Sequence, residues 1–477
     1  MTNINLPLVT GIAIVGHLLG TLNAAHAIMN VRLPQSAIAW SLSLILFPWL
    51  AMPLYWVLGR RKFKGYAEAY QKAYQHHKTK ADAAYQKVLA HAVELPETTT
   101  ILYKLANKLI EIPFTSGNQS SLLIDGDRTY DAIIEAIQKA QDYILFQFYI
   151  INDDEAGQRF LQALIAKAQQ GVRVYILYDE IGSRLMTPSF LKKCRLNGIK
   201  ISSFKTNQGL GNRFQLNFRN HRKIVVIDGQ IGFVGGLNIG DEYQGKNPKY
   251  GPWRDTHMQL SGPATKALQL TFLKDWYWAT DQVPPVKWES EPVEGQETIL
   301  VLPTSPADRQ QSCTMFVDTA ISLAQNRLWI ASPYFVPDEP TLAALKMAAL
   351  RGVDVRLLLP SNPDHLIVYL CSFSYYSELQ TAGIKLYRYG TGFMHQKVML
   401  VDDLLAGVGT VNLDNRSFLL NFEIMVYVTE GDFVRQVEKM LRADLANSVL
   451  VDLSEYARRG WWSKLAIQSA RLAAPLQ

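Results

Sequence analysis

The sequence predicts a duplicated α/β protein that follows an apolar N-terminal region. Three observations indicate this class. Two long stretches without Asp, Glu, Lys or Arg occupy most of the first 60 residues. An alternation of helix and strand patterns that begins near residue 130 recurs from residue 318, and one short motif occurs once in each copy. We therefore expect two tandem α/β/α domains related by a pseudo-twofold axis, preceded by a two-helix transmembrane hairpin.

The uncharged stretches, residues 6–29 and 37–58, form the predicted hairpin within residues 1–60. Each is long enough to cross a hydrocarbon core of ~30 Å, which takes about 20 helical residues. The basic residues beside them are unevenly distributed: Arg60, Arg61, Lys62 and Lys64 follow the second stretch, and Arg32 lies in the connecting loop. The positive-inside rule then places the chain from residue 60 onward in the cytoplasm.

A cleaved signal peptide is the alternative interpretation of the first stretch. Ala25-His26-Ala27 has the small-x-small form of a cleavage site. However, no Lys or Arg precedes Leu6, and a second apolar stretch follows at once. Both features favour a hairpin that is retained in the mature protein.

Residues 61–115 predict a basic helical linker. The part from Lys62 to Glu94 is rich in Ala, Lys, Gln and Tyr, with no Pro or Gly after Gly65, so it predicts a helix. A linker is expected near Thr115–Ser121. The basic residues of the helix either contact anionic headgroups or form a solvated face. The net charge of +6 fits attraction to anionic lipid or nucleic acid, although ordinary soluble proteins share such a balance.

The cysteine content indicates a reducing compartment. Cys194, Cys313 and Cys371 are few, unclustered and odd in number, so they predict buried thiols and neither a disulfide framework nor a metal-ligand set. The sequence also has no HExxH, no paired CxxC and no aspartate cluster. We therefore expect neither a metal nor another cofactor.

The internal repeat defines the two predicted domains, residues 116–280 and 299–448, joined by a Pro- and Glu-rich linker at 281–298. Their elements recur in one order, which predicts a largely parallel core in each domain. The matched elements are the helices Tyr130–Gln141 and Asp318–Gln325, the strands Tyr143–Ile151 and Leu328–Val336, the helices 156–169 and 339–350, and the strands that open at Gly171 and Gly352 and at Gly198 and Gly383.

The duplicated motif has the form His-x-Lys-x4-Asp and carries the candidate chemistry. It comprises His221, Lys223 and Asp228 in the first half and His395, Lys397 and Asp402 in the second. Asn238 and Asn412 each follow their His by 17 positions (221 to 238 and 395 to 412). On a strand, side chains two apart share a face, so His and Lys project together. An imidazole beside an ammonium and an amide suits attack on an anionic phosphate.

This motif resembles that of the phospholipase D superfamily, and the chain is most similar there to the bacterial cardiolipin synthases. The supporting stretches are 216–223 (LNFRNHRK), 275–280 (DWYWAT), 333–338 (PYFVPD) and 420–423 (LNFE), together with the N-terminal hairpin ending Gly59-Arg60-Arg61. The resemblance covers nearly the whole chain. It implies transfer of a phosphatidyl group between two phosphatidylglycerol molecules, which gives cardiolipin and glycerol.

The resemblance also implies a role for each site residue. One His attacks phosphorus while the other serves as general acid and base; the family assigns the attack to the first-motif His, here His221, and the acid/base role to His395. Lys223, Lys397, Asn238 and Asn412 would hold the non-bridging oxygens. A carboxylate orients each His from the opposite half, which implies the pairs His221–Glu423 and His395–Asp255.

The acidic residues near the motif allow other interpretations. A local ion pair with Arg254 is the alternative for Asp255. Asp228 and Asp402 belong to the motif, but each lies seven residues beyond its His at a turn. We therefore interpret both as structural residues that hold the motif hairpin.

The two halves differ before the motif, where the first has an extra polar segment, 207–213. This segment predicts either a lid or a plain surface insertion. The C-terminal segment 449–477, with Arg458-Arg459-Gly460-Trp461-Trp462-Ser463-Lys464, predicts either an amphipathic helix in a membrane interface or an ordinary packed helix.

Several activities remain compatible with the motif alone. A phospholipase D-type hydrolase or headgroup-exchanging enzyme is the main alternative to a synthase, followed by a nuclease and then a non-catalytic membrane protein. The two apolar stretches and the basic residues after them favour lipid, so we expect no nucleic acid partner. The oligomeric state and the second substrate are left open.

Overall fold

The computed structural model describes residues 6–31, 34–59, 63–93, 100–110, 112–208, 217–289, 293–452, 454 and 458–474. The chain divides into two compact units. The first comprises residues 1–65 and 206–218, and the second comprises residues 66–205 and 219–477. Arg32, Arg60, Arg61 and Lys62, on which the predicted orientation depends, lie outside the described residues, as do residues 209–216 of the predicted lid segment.

The first unit contains three helices, α1 (Leu6–Asn30), α2 (Pro34–Leu46) and α3 (Pro48–Leu58), among its described residues. Residues 7–30 of α1 are long and apolar enough to cross a membrane. The second apolar stretch is not one continuous helix, because it is divided at Phe47. Pro48, whose ring lacks an N–H and restricts the preceding residue, starts a new helix there.

The second unit holds the duplicated region. Its helices are α4 (Tyr66–His76), α5 (Lys78–Leu89), α6 (Thr100–Leu109), α7 (Asp125–Lys139), α8 (Glu155–Gln169), α9 (Pro188–Leu196), α10 (Ala264–Thr280), α11 (Ser312–Leu323), α12 (Glu339–Leu350), α13 (Leu366–Thr381), α14 (Asn415–Leu419), α15 (Asp432–Ala446) and α16 (Trp461–Arg471).

The strands of the second unit are β1 (Thr115–Ile124), β2 (Tyr143–Phe148), β3 (Arg173–Asp179), β4 (Lys200–Phe204), β5 (Arg219–Asn220), β6 (Ile224–Ile227), β7 (Ile231–Gly235), β8 (Trp253–Arg254), β9 (Thr256–Ser261), β10 (Glu297–Thr304), β11 (Arg327–Ala331), β12 (Phe335–Val336), β13 (Asp354–Pro360), β14 (Lys385–Tyr389), β15 (Phe393–Met394), β16 (Val398–Val401), β17 (Leu405–Gly409), β18 (Leu413–Asp414), β19 (Asn421–Thr429) and β20 (Ser448–Leu450).

One sheet runs through both halves in the order β20-β14-β13-β11-β16-β17-β19-β10-β1-β9-β7-β6-β2-β3-β4. The antiparallel pair β1–β10 joins the halves, and the strand order outward from it repeats. Along this order, the neighbours within β2-β3-β4 and within β11-β13-β14 are parallel, and the other neighbours are antiparallel. The expectation of a largely parallel core was therefore wrong for the motif side. There, tight hairpins connect β6 to β7 and β16 to β17, and a hairpin makes its strands antiparallel.

Two local predictions also need correction. The expected linker near Thr115–Ser121 is the strand β1, whose polar residues take part in antiparallel pairing with β9. The helix expected from Lys62 to Glu94 is two helices, α4 and α5, separated at His77. In both places, tertiary pairing and packing override a composition that suggests a linker or one long helix.

The C-terminal stretch forms α16, which packs on the duplicated region. Ile467 is fully buried in a core cluster that includes Cys371 and Leu379 of α13. The helix is thus a packed one, yet Trp461 and Trp462 at its start are 64% and 76% exposed. The three cysteines are buried and free of disulfides, as predicted.

Short strands at the ends of the motifs bring the two halves together. β5, just before His221, pairs in parallel with the start of β19, and β15, just before His395, pairs in parallel with β8. The backbone N–H of His221 donates to the carbonyl of Phe422 at 2.9 Å, and that of His395 donates to Arg254 at 2.8 Å. Each motif histidine is therefore fixed beside a strand of the opposite half.

Candidate active site

Each motif histidine contacts a carboxylate from the other half. His221 Nδ1 lies 2.9 Å from Glu423 Oε2, and His395 Nδ1 lies 2.8 Å from Asp255 Oδ2. These are the cross-half pairs that the resemblance implies. The histidines are 8% and 7% exposed, and both carboxylates are fully buried. When Nδ1 donates to the carboxylate, Nε2 keeps its lone pair, which is the state a nucleophile or base requires.

The local alternative for Asp255 was wrong. The side chain of Arg254 binds Asp444 through Nε at 2.7 Å and Asp125 through a terminal nitrogen at 3.0 Å. It donates to Asp255 only at the backbone carbonyl. The Asp255 carboxylate is left to accept from the backbone N–H of Thr256 at 2.8 Å and from the indole N–H of Trp253 at 3.3 Å, and to contact His395.

Glu423 has a richer set of donors than Asp255. Its carboxylate accepts from the hydroxyls of Thr410 at 2.6 Å and Ser417 at 2.9 Å and from the amide of Asn421 at 3.0 Å, besides contacting His221. Burial alone would raise the pKa of Glu423, but His221, Lys223 and Thr410 lower it below its usual value. Burial raises the pKa of Asp255. The two half-sites are therefore electrostatically different.

Each motif lysine forms a hydrogen bond to the backbone of its own motif histidine. Lys223 Nζ donates to the carbonyl of His221 at 2.7 Å, and Lys397 Nζ donates to that of His395. Because both ammonium groups are buried, the pKa of Lys397 is lowered to about 8 and that of Lys223 is lowered strongly. Both groups would gain from an anionic ligand, which would offset the cost of burying their charge.

The histidines also have lowered pKa values, chiefly through burial. The pKa of His221 falls to about 4 despite the opposing effect of Glu423. Burial, together with Lys397, lowers the pKa of His395 well below its usual value. In the ligand-free site both imidazoles are therefore neutral near pH 7, and either could supply a lone pair to phosphorus.

The two motif asparagines lie in different surroundings. Asn238 Oδ1 accepts from the backbone N–H of Ile150 at 3.1 Å, and Nδ2 donates to the hydroxyl of Tyr243 at 3.2 Å. Asn412 Oδ1 is buried without a hydrogen-bond partner among the described residues. Asn238 thus has a structural function in its own half, and its amide retains one further N–H with which to donate to a ligand.

The motif aspartates are turned away from the histidines. Asp228 accepts from three consecutive backbone N–H groups, those of residues 141–143, at 2.7–2.8 Å. Asp402 does the same for residues 325–327 at 2.7–2.9 Å. Both aspartates have positive φ, 53° and 48°. Each one therefore fixes its hairpin to the start of the neighbouring strand, in agreement with the structural interpretation.

Sequence reasoning missed a buried network behind His221. Arg222, the variable residue of the first motif, donates to Asp275 at 2.7 Å and to the carbonyl of Glu423 at 3.0 Å. Asp275 also accepts from Tyr66, Gln147 and Asn220, at 2.6–2.8 Å. The available signal was Asp275 itself, a carboxylate at the start of the 275–280 stretch that the resemblance had already singled out.

The arrangement places two neutral imidazoles, two lysines and two orienting carboxylates in one buried centre built by both halves. Such a set can form and break a bond to phosphorus while it stabilises the charge on the phosphoryl oxygens. Among the described residues, no group of three or more His, Cys, Asp or Glu side chains is arranged to hold a metal ion.

The fold and the duplicated site define an enzyme of the phospholipase D type, and comparison with known proteins gives its family. The model of the cardiolipin synthase, phospholipase D-like domain matches residues 133–248 and 317–445. The chain is 44% identical over 462 residues to a cardiolipin synthase A of Pseudomonas putida and 44% identical over 464 residues to one of Pseudomonas syringae. Each alignment covers 96% of both chains. The chain belongs to the cardiolipin synthase family.

Solved structures support the fold alone, because their sequence identity is low. A phosphatidylserine synthase of Haemophilus influenzae matches with a TM-score of 0.62 at 15% identity, over 80% of this chain and all of the other. A polyphosphate kinase of Porphyromonas gingivalis matches with a TM-score of 0.50 at 14% identity, over 70% of this chain and 49% of that chain.

Proposed function

We propose that this protein synthesises cardiolipin by moving a phosphatidyl group from one phosphatidylglycerol to the hydroxyl of another, with release of glycerol. The single observation that carries the proposal is the pair of buried His–carboxylate contacts, each formed across the two halves, in a member of the cardiolipin synthase family. One centre with two imidazoles suits a two-step transfer, in which one attacks while the other moves protons.

In the first step His221 Nε2 attacks phosphorus as the phosphorus–oxygen bond to glycerol breaks, and the departing oxygen takes a proton from His395. In the second step, a hydroxyl of the second phosphatidylglycerol gives its proton to His395, and its oxygen displaces His221 from phosphorus. Lys223 and Lys397 stabilise the non-bridging oxygens, with Asn412 and the spare N–H of Asn238 as further donors. Binding of the anionic phosphate raises the pKa of His395, so that it can carry the proton of the first step.

The ionised state of Glu423 supports His221 as the nucleophile. Glu423 keeps a lowered pKa, so a full negative charge lies 2.9 Å from His221 Nδ1. That charge stabilises the positive ring that forms when Nε2 bonds to phosphorus. Asp228 and Asp402, which hold the hairpins, act on the reaction only through the position of the motif.

The reaction class is tested with the purified protein and phosphatidylglycerol in detergent. Cardiolipin and glycerol should form in equal amounts, without a nucleotide or an added divalent metal. Phosphatidic acid as the only lipid product would indicate a hydrolase instead, and a requirement for a nucleotide-activated donor would contradict the proposal.

We further propose that α1 and the divided α2–α3 segment form the predicted two-pass hairpin, with the second unit and the C-terminus on the cytoplasmic side of a bacterial inner membrane. Its support is the uncharged composition of both stretches and the basic residues that follow. The exposed Trp461 and Trp462 would then lie in the interface of the same membrane. Domains at 116–280 and 299–448 fit the strand order, which repeats from β1 and from β10.

Cysteine labelling tests this topology, because the three native cysteines are buried. In intact cells, a membrane-impermeant maleimide should label a Gln35→Cys variant, in the first turn of α2. The matched Gln436→Cys variant, at an exposed site on α15, should react only after lysis. Labelling of Gln436→Cys in intact cells would contradict the cytoplasmic placement.

A further inference from the structure

Two buried ion pairs lie next to the two His–carboxylate pairs. Asp275 on α10 binds Arg222 at 2.7 Å. Asp444 on α15 binds Arg254 through both of its carboxylate oxygens, at 2.7 and 2.8 Å. All four side chains are buried. The helices are equivalent, because α10 follows β9 and α15 follows β19, and these strands have matching places in the repeated strand order. The two ion pairs are therefore part of the duplicated frame.

Each arginine also holds the backbone of a residue that orients a histidine. Arg222 Nε donates to the carbonyl oxygen of Glu423 at 3.0 Å. A terminal nitrogen of Arg254 donates to the carbonyl oxygen of Asp255 at 3.0 Å. The carboxylates of the same two residues contact the motif histidines. Because hydrogen bonds from a charged donor are strong and directional, a shift of either arginine would also shift the carboxylate that its histidine requires.

The variable residue of each motif takes part in the same arrangement. In the first motif this residue is Arg222 itself. In the second it is Gln396, whose side-chain amide donates to Asp444 at 2.8 Å. Each aspartate is therefore joined to the residue that follows one motif histidine. Through its arginine, it is also joined to the residue whose carboxylate orients that same histidine.

We propose that Asp275 and Asp444 are positioning residues, each of which holds one motif histidine and its orienting carboxylate in the geometry that phosphatidyl transfer needs. Asp275 acts on the nucleophile His221. Asp444 acts on His395, which moves the protons. This inference rests on the proposed function and adds residues outside the motifs on which its two steps depend.

The energetics of buried charges agree with a positioning role. A buried ion pair contributes little net stability, because the cost of removing both charges from water offsets their attraction. What such a pair supplies is a fixed position. A displacement of about 1 Å at a reacting group can lower a rate by about 10²-fold, so this position matters more to the reaction than to the fold.

The experiment measures the two steps separately in Asp275→Asn and Asp444→Asn. Synthesis of cardiolipin from phosphatidylglycerol needs both histidines. Release of nitrophenol from phosphatidyl-p-nitrophenol in a single turnover needs only the attack by His221, because nitrophenolate leaves without a proton. Asp275→Asn should lower both rates by about tenfold or more. Asp444→Asn should lower synthesis equally but nitrophenol release by less than about threefold. KM should change little, since both aspartates are buried.

Milder variants keep the test decisive, because removal of one partner from a buried ion pair can prevent folding. Tyr66→Phe removes a hydroxyl that donates to Asp275 at 2.6 Å, and Gln396→Met removes the amide that donates to Asp444. Both variants leave the ion pairs intact. They should show the same pattern as the asparagine variants, with losses of about threefold.

The control is Asp354→Asn. It removes a carboxylate from the second half that pairs with Arg356 at 2.7 Å and Lys385 at 2.8 Å, and both rates should stay unchanged.

Equal losses of both rates in the folded Asp444→Asn variant, or unchanged nitrophenol release in the folded Asp275→Asn variant, would overturn this inference. Should either variant not fold, the same outcomes in Gln396→Met and Tyr66→Phe decide. Failure of the wild-type protein to make cardiolipin would overturn the proposed function instead, and nitrophenol release would still test the positioning of His221.

Discussion

The half-site around His221 and the half-site around His395 share a motif and a backbone arrangement but differ in the groups that surround their carboxylates. Glu423 accepts from three side chains besides His221, whereas Asp255 accepts from one backbone N–H and from the indole N–H of Trp253 at 3.3 Å. Duplication therefore supplies a symmetric frame, and substitutions on that frame give the two histidines different environments. A reaction that needs one attacking and one proton-moving imidazole benefits from that difference.

The position two residues before each asparagine shows how the difference arises. In the first half it is Gly236, and a Cβ built there would lie 2.0 Å from Asp255 Oδ1. In the second half it is Thr410, whose hydroxyl donates to Glu423 at 2.6 Å. In the first half, the missing side chain of Gly236 leaves space for Asp255. In the second half, Thr410 supplies a hydrogen-bond donor to Glu423.

The largest effects are expected from substitution of the two motif histidines, which should also reveal their different roles. His221→Ala and His395→Ala should each lower cardiolipin synthesis by about 10⁴-fold or more. With a nitrophenol-leaving donor, His395→Ala should still trap lipid covalently, because that leaving group needs no proton, and His221→Ala should trap none. Mass spectrometry of the trapped protein locates the adduct. An adduct on His395 would reverse the assignment.

Substitutions of the two carboxylates should have smaller effects, and they too should differ in their response to a donor with a good leaving group. Glu423→Gln and Asp255→Asn should each lower kcat by up to about 10⁴-fold, the loss seen when the aspartate that orients the histidine of a Ser-His-Asp triad loses its charge. The nitrophenol-leaving donor should restore most of the activity of Asp255→Asn and little of that of Glu423→Gln. Equal rescue of both variants would contradict separate roles for the two pairs.

Gly236→Ala and Thr410→Ala form a matched pair at equivalent positions. Gly236→Ala forces the Asp255 carboxylate from its place and should lower activity by at least about tenfold, with a lower melting temperature. Thr410→Ala removes one of several donors to Glu423 and should lower activity by only a few-fold. Assay of activity beside thermal unfolding separates the two effects, and a milder effect at Gly236 would contradict the steric argument.

The smallest effect concerns pH. Burial holds the pKa of Lys397 at about 8, below its usual value, so the ligand-free site loses this charge as pH rises through 8. KM for phosphatidylglycerol should then increase above pH 8.

Stability should also depend on pH through His221. Because the pKa of His221 is about 4 in the folded protein, the unfolded chain protonates this histidine at a higher pH than the folded chain does. Stability should therefore fall as pH drops from about 6.5 towards 4. Kinetics and unfolding measured across pH 4–9 check both directions.

Much of the fold followed from sequence patterns. The recurring order of helices and strands predicted α8, α12 and the start of each parallel strand, because local periodicity reflects which face is buried. The patterns failed at β1 and at Phe47. A polar strand has no distinctive local signal, and its state depends on pairing with distant segments. At Phe47 the following proline, Pro48, was a local signal for the division of the helix.

By itself, the sequence determined the chemistry: two His-x-Lys motifs at matched spacing, with two asparagines, specify which groups are present. Resemblance to a known family added the partners Glu423 and Asp255. Only the tertiary structure decided how the surroundings of the two carboxylates differ. Thr410, Ser417 and Asn421 all donate to Glu423, which contacts His221 of the other half. Such contacts depend on distance in space, which spacing along the sequence does not encode.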